Sequence, residues 1–192
     1  MIELQHVNVK LLVKDSQGLD VELLVPIFHG WIQEKVFEDR LLDIADYRHV
    51  IDGPGVILIG FEGDYSVDDT DGRRGIRYNR KVAFEGSNQD RLKQAAKSAL
   101  QAAQRLETET TLGDKLQFNG QGIEVFINDR LLAPNNEKTR AGVKADFDQF
   151  FQKLFAGVDY SLSYEENPRR LLTVNAKASR PFTVADLLKN LS

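Results

Sequence analysis

Leu41–Phe61 reads LLDIADYRHVIDGPGVILIGF, and its second half bears most directly on the fold. In Val56-Ile57-Leu58-Ile59-Gly60-Phe61 neither alternate set of side chains is polar. Such a strand needs cover on both faces, which predicts a place at the centre of a sheet. The preceding Asp52-Gly53-Pro54-Gly55 is turn chemistry. It is not a phosphate loop, because those glycines lead into a strand, and a phosphate loop needs a helix whose N-terminal amides hold the anion. Leu41–His49 forms the strand before the turn, with Leu42, Ile44, Asp46 and Arg48 on one face and Asp43, Tyr47 and His49 on the other.

Upstream, residues 4–14 alternate: Val7, Val9, Leu11 and Val13 point one way, His6, Asn8, Lys10 and Lys14 the other. A turn is expected at Lys14–Gly18. Asp20 then caps a helix running to about Phe37, with an apolar stripe at 24, 27, 28, 31 and 32. Pro26 either stands in the first turn of that helix or kinks it. His29 beside the stripe reads as a partly buried structural histidine.

Downstream, Glu62–Arg74 (EGDYSVDDTDGRR) reads as a polar connection, and Ile76–Phe84 as a strand. Ser87 and Asp90 open a capping box, followed by a helix with Leu92, Ala95, Ala96, Ala99, Leu100, Ala103 and Leu106 in one stripe. Its outward residues (Arg91, Lys93, Lys97, Gln101, Gln104 and Arg105) are expected to form a solvated face. A Thr-rich linker over 107–114 leads to a strand from Ile123, a helix through Val143–Leu154 closed by Gly157, and strands over 160–165 and 172–178. A short last helix is capped by Thr183 and Asp186.

Residues 1–112 and 113–192 thus repeat one order of elements: strand, helix, strand, turn, strand, helix. The first half carries an extra strand near 75–84. The expected fold is α+β: an internal duplication of a βαββ, ferredoxin-like unit, with a largely antiparallel sheet, helices on one face and both halves in one compact unit.

Composition bounds the function classes. The chain has 192 residues, 42% hydrophobic and 28% charged, which is ordinary for a globular protein and argues against disorder. It has no cysteine, so disulfides, thiolate nucleophiles and Cys-ligated zinc are excluded. A net charge of -4 and a pI near 5.5 argue against a body devoted to nucleic acid. No run reaches the ~18 apolar residues of a membrane span, and the first residues are not a signal peptide, so a cytoplasmic location without membrane contact is expected.

Few motifs point to chemistry. Asp68-Asp69-Thr70-Asp71-Gly72 superficially suggests a calcium loop, but the third acid and the closing Glu are missing and Arg73 and Arg74 follow at once. A solvated turn is expected there, with no metal and no cofactor. The histidines lack metal-ligand spacing, and no nucleophile elbow is present. Arginines 73, 74, 77 and 80 cluster near one turn as one anion site in prospect. The remaining feature is collective. If helices cover one sheet face, the other gathers Asn8, Lys10, Tyr47, His49, Arg77, Asn79, Lys81, Asn175 and Lys177.

Lys10, Tyr47, His49, Arg77 and Asn79 are the expected ligand-binding residues on that face, whose donors suit a small anionic ligand or a protein partner. Only Tyr47 there could stack a base, which argues against RNA. The leading expectation is a non-catalytic binding or interaction module. The alternatives are an enzyme for a small anionic substrate, using His49 with Arg73 or Arg77 and assisted by Tyr47, and a homodimeric subunit joined through exposed strand edges.

Overall fold

In a computed structural model that describes residues 2–15, 20–112 and 116–192, the chain forms a mixed α+β structure on a single antiparallel sheet. The turn expected at 14–18 and the linker at 107–114 fall partly outside the described residues. The strands are β1 (Val7–Leu12), β2 (Leu41–Tyr47), β3 (Gly55–Gly60), β4 (Gly63–Asp68), β5 (Gly75–Arg80), β6 (Gly122–Ile127), β7 (Tyr160–Tyr164) and β8 (Leu172–Ala178). The helices are α1 (Leu24–Glu34), α2 (Asn88–Glu107), α3 (Glu137–Leu154) and α4 (Val184–Asn190). The eight strands lie in the order β2-β3-β4-β5-β1-β6-β8-β7. Every adjacent pair is antiparallel, so β1 and β2 run parallel to each other, as do β6 and β7.

Register divides the sheet into two faces. One transverse row runs Leu58, Tyr65, Tyr78, Val9, Val125, Val174, Tyr164. The helices bury their apolar residues against this face, and all of them join one core with it. Ala95, Ala96, Ala99, Ala102 and Ala103 of α2 are fully buried. Their small side chains let that helix lie close over β1 and β5. Around α3, Phe147, Phe150, Phe151 and Phe155 pack ring on ring with Tyr160 and Phe182. Full burial of each such ring stabilises by roughly 1.5–3 kcal/mol as an upper figure.

The caps form as the sequence specifies. Ser87 and Asp90 make a complete capping box at α2, as do Thr183 and Asp186 at α4. Asp20 accepts from the Glu22 amide to start a 3-10 turn that runs into α1, so Pro26 lies in the helix's first turn and no kink is needed.

Five expectations need correction. β3 lies next to the edge strand and not at the centre, which β5 and β1 occupy. Val56 and Leu58 are fully buried beneath the helices, whereas Ile57 and Ile59 on the other face are only half-covered. Their cross-strand neighbours are Ala45 and Ser66, and Asp43 and Asp64.

The polar connection contains β4: Tyr65 and Val67 face the core while Asp64, Ser66 and Asp68 face away. On β2 a bulge between Leu41 and Asp43 turns Leu41 and Ile44 towards the core and leaves Leu42 46% exposed. His29 is exposed. Arg91 is buried, because its guanidinium reaches back to Glu3, Asn88 and the Phe84 carbonyl.

Candidate functional site

The second sheet face is polar and its middle is buried. Its central row reads Ile57, Ser66, Arg77, Lys10, Glu124, Asn175, Ser163 across β3, β4, β5, β1, β6, β8 and β7. Strand alternation puts these side chains on one side, and long neighbours shield the middle ones from water. Asn8 is 0% exposed, Lys10 2% and Ser66 1%, although no helix covers them.

Charges in such a place must be paired. The Lys10 ammonium donates to Asp68, which also accepts from the Thr70 amide at 3.2 Å and the Thr70 hydroxyl at 2.9 Å. Arg77 reaches the other Asp68 oxygen at 3.6 Å and lays its guanidinium 4.5 Å over the Phe126 ring. Glu124 pairs with Arg73 at 2.5 Å. Burial pushes the Glu124 carboxyl above its ordinary value, against the pull of Arg73 and Lys10. Burial likewise lowers the Arg77 guanidinium, against the pull of Asp68 and Glu124.

Two loops stand over this floor. Residues 70–73 rise from the end of β4, and residues 165–171 link β7 to β8. Arg170 joins them by pairing with Asp71, and with Glu165 at 3.4 Å. Beneath lies a cleft of about 280 Å³, reached by six cationic side chains (Lys10, Arg73, Arg77, Arg130, Arg169, Arg170) against four carboxylates (Asp68, Asp71, Glu124, Glu165).

Arg130 and Arg169 are exposed on its rim, and among the described residues their guanidiniums make neither an ion pair nor a hydrogen bond. Both amide atoms of Asn8, the Ser66 hydroxyl, Arg77 Nε and the Asn175 oxygen are buried without a partner. A second hollow of about 500 Å³ over β3–β5 shares Asp68 and Arg77 with the cleft and is lined also by Ser66, Asn79 and Lys81. Of the residues with unpartnered atoms, Arg77 and Asn175 line the cleft and Ser66 the adjoining hollow; buried polar groups seldom stay unpaired, so polar guests are favoured there.

The structure brings together Lys10 and Arg77 in the cleft, and Arg77 and Asn79 in the adjoining hollow. Tyr47 and His49 lie apart from both: Tyr47 ends edge strand β2, His49 follows in the turn, and their rings stack on each other at 6.3 Å. The arginine cluster divides. Arg73 and Arg77 enter the cleft, Arg74 pairs with Asp69 at 2.8 Å, and Arg80 donates to the Val82 carbonyl. The Asp68–Gly72 stretch is a turn whose three carboxylates each meet a basic side chain.

Sequence reading missed Glu124, Arg130, Arg169 and Arg170. Glu124 left a signal, as the one acid inside an otherwise apolar strand; Arg169 and Arg170 left another, as a basic pair straight after Asn167-Pro168.

The site thus defines a mixed α+β chain with a basic cleft on its open sheet face. No known family, characterised protein or solved structure matches it. Among the described residues no helix is long and apolar enough to cross a membrane.

Proposed function

We propose that this protein is a binding module that holds a small anionic ligand in the cleft over β5, β1, β6 and β8. The observation that carries the reading is the surplus of cations there, with Arg130 and Arg169 free of any carboxylate. A planar guanidinium offers two parallel donors to a carboxylate or phosphate, so two unpaired ones on one rim suit a doubly charged guest. The catalytic alternative draws less support, because His49 lines neither hollow, and His6, which lines the second one, lies outside the cleft.

The test is calorimetric titration with phosphate, pyrophosphate, citrate and succinate against wild type and Arg130→Ala/Arg169→Ala. Saturable binding by at least one anion, weakened about tenfold or more in the variant, is the expected result. Equal affinity in both proteins, or no binding of any of the four, rejects the reading.

We further infer that the cleft lies on the seam of a duplicated unit of ferredoxin-like order, with halves 1–112 and 113–192. In support, β1 and β6 each lead into a helix, and each is paired antiparallel with the last strand of its own half. They meet each other antiparallel about Val9 and Val125. The first half then differs by a four-strand meander, β2–β5, where the second has the hairpin β7–β8.

A homodimer through β2 is the second reading. Leu42, Tyr47, Val50 and Ile51, all more than 40% exposed, gather on that edge and its turn. Sedimentation of wild type and Ile51→Lys decides it; a monomer at tens of micromolar rejects it.

A further inference from the structure

On the opposite side of the sheet, a gap of about 660 Å³ opens between α1 and α2, over Tyr65 of β4. α1 packs on β2 and β3 and α2 on β1 and β5, so the space above β4 is closed by the loop joining α1 to β2. The volume falls within the roughly 300–1,000 Å³ of small-molecule sites.

Aromatic surface, three carboxylates (Glu38, Asp39 and Asp90) and three cations (Arg80, Lys93 and Lys97) line it. Phe37 and Phe84 give aromatic surface, and the Arg80 guanidinium lies 5.3 Å over the Phe84 ring. Asp39 sits half-buried and accepts a hydrogen bond from the Tyr65 hydroxyl at 3.0 Å through one oxygen. Lys93 and Lys97 stand one turn apart on α2; among the described residues neither side chain makes an ion pair or a hydrogen bond, and the Lys93 charge acts at longer range on Asp90. The floor is rigid: Tyr65 stacks on Phe37 at 4.9 Å and packs on Tyr78 at 5.0 Å, and Gln94 donates to the Tyr78 hydroxyl at 3.1 Å.

We propose that this gap is a second ligand site, for a mononucleotide: a heteroaromatic ring carrying N–H donors, joined to a phosphate. The ring packs against the Phe37 and Phe84 side of the gap, where aromatic and guanidinium planes both stack bases. The second Asp39 oxygen accepts from a ring N–H or exocyclic amine, a pairing carboxylates make with bases. The phosphate reaches Lys93 and Lys97, neither of which is held in an ion pair among the described residues. An aliphatic anion would leave the aromatic surface and Asp39 unused.

Trp31 reports on the site, since it is the only tryptophan and meets Phe37 edge-on at 5.3 Å. Its emission is followed during titration with AMP, GMP, CMP and UMP, with adenosine and guanosine, and with inorganic phosphate alone. At least one mononucleotide should give a saturable change. The matching nucleoside and free phosphate should each bind about tenfold more weakly or worse. Lys93→Ala/Lys97→Ala, in a helix that favours alanine, should weaken the nucleotide by a similar factor. Arg130→Ala/Arg169→Ala should leave the titration unchanged, which separates this site from the cleft. Any of three results overturns the proposal: no saturable change up to about 1 mM nucleotide, undiminished affinity in the lysine variant, or free phosphate binding as tightly as the best nucleotide.

Discussion

Replacing Lys10 by methionine should expose how the polar face is held together. The Lys10 and Asp68 side chains are 2% and 4% exposed, so their charges sit in a medium that tolerates only paired ions. Methionine keeps the length and apolar stem of Lys10 but strands the carboxylate. Removing one partner of a buried pair costs roughly 3–5 kcal/mol. Asp68 would keep both hydrogen bonds from Thr70 and the Arg77 guanidinium at 3.6 Å, which places the loss near the low end, about 3 kcal/mol.

For a chain of this length each kcal/mol moves the melting midpoint by about 2–4 °C, so a fall of about 6–12 °C is expected. Urea unfolding followed by Trp31 emission and far-ultraviolet dichroism measures the free energy directly. The companion Lys10→Met/Asp68→Asn removes the stranded charge and should recover about 1–2 kcal/mol. The reasoning fails if the single variant lies within about 1 kcal/mol of wild type, or if the double variant is no more stable than the single one.

Other perturbations probe separate elements. Ser87→Ala removes the side-chain cap of α2 and should cost about 1 kcal/mol in the same assay. Gly75→Ala would place a Cβ 2.3 Å from the Leu11 carbonyl oxygen where β5 meets β1, and should cost about 1–3 kcal/mol. Gly30→Ala in α1 meets no atom within 4 Å and should stabilise by about 0.5–1 kcal/mol.

Asp39 carries a pH prediction. Burial raises its carboxyl above 3.8, so folding favours the neutral acid. Its contribution is fully present below that value and is lost as pH rises through the raised one. Asp39→Asn cannot ionise and should therefore gain on wild type between pH 3.5 and pH 7 in parallel urea titrations. A constant difference across that range contradicts the burial assigned to Asp39.

The parts of this fold that were legible in the sequence are those whose physics is local. Ser87 with Asp90, Thr183 with Asp186, and the alanine stripe of α2 each state their structure within a few residues. β4 was hidden because it offers only Tyr65 and Val67 as apolar signal among Asp, Ser and Gly, and its neighbours β3 and β5 supply the pairing that makes it a strand. The site shows the same division. Alternation puts Lys10, Arg77 and Asn79 on one face, and that is local information. Which residues they meet depends on strand order. Lys10 finds Asp68 because β1 lies beside β5, and β5 beside β4. The same ordering carries Tyr47 and His49 to the rim, far from the residues with which parity alone had grouped them. Arg91 was misread for a related reason: its partners Glu3 and Phe84 come from other segments.

The place of β1 has a consequence for how the chain is made and handled. Of the eight strands β1 comes first along the chain yet shares the centre of the sheet with β5, and its partners begin only at Gly75 and Gly122. It must wait, unpaired, until β5 emerges on one side and β6 on the other. Non-local pairing of this kind slows folding and lengthens the time that open strand edges are exposed. A variant lacking Val7–Leu12 would lose the strand that joins β5 to β6. It would divide one sheet into β2-β3-β4-β5 and β6-β8-β7, each with a newly bare edge, so β1 is a strand whose loss the sheet cannot absorb.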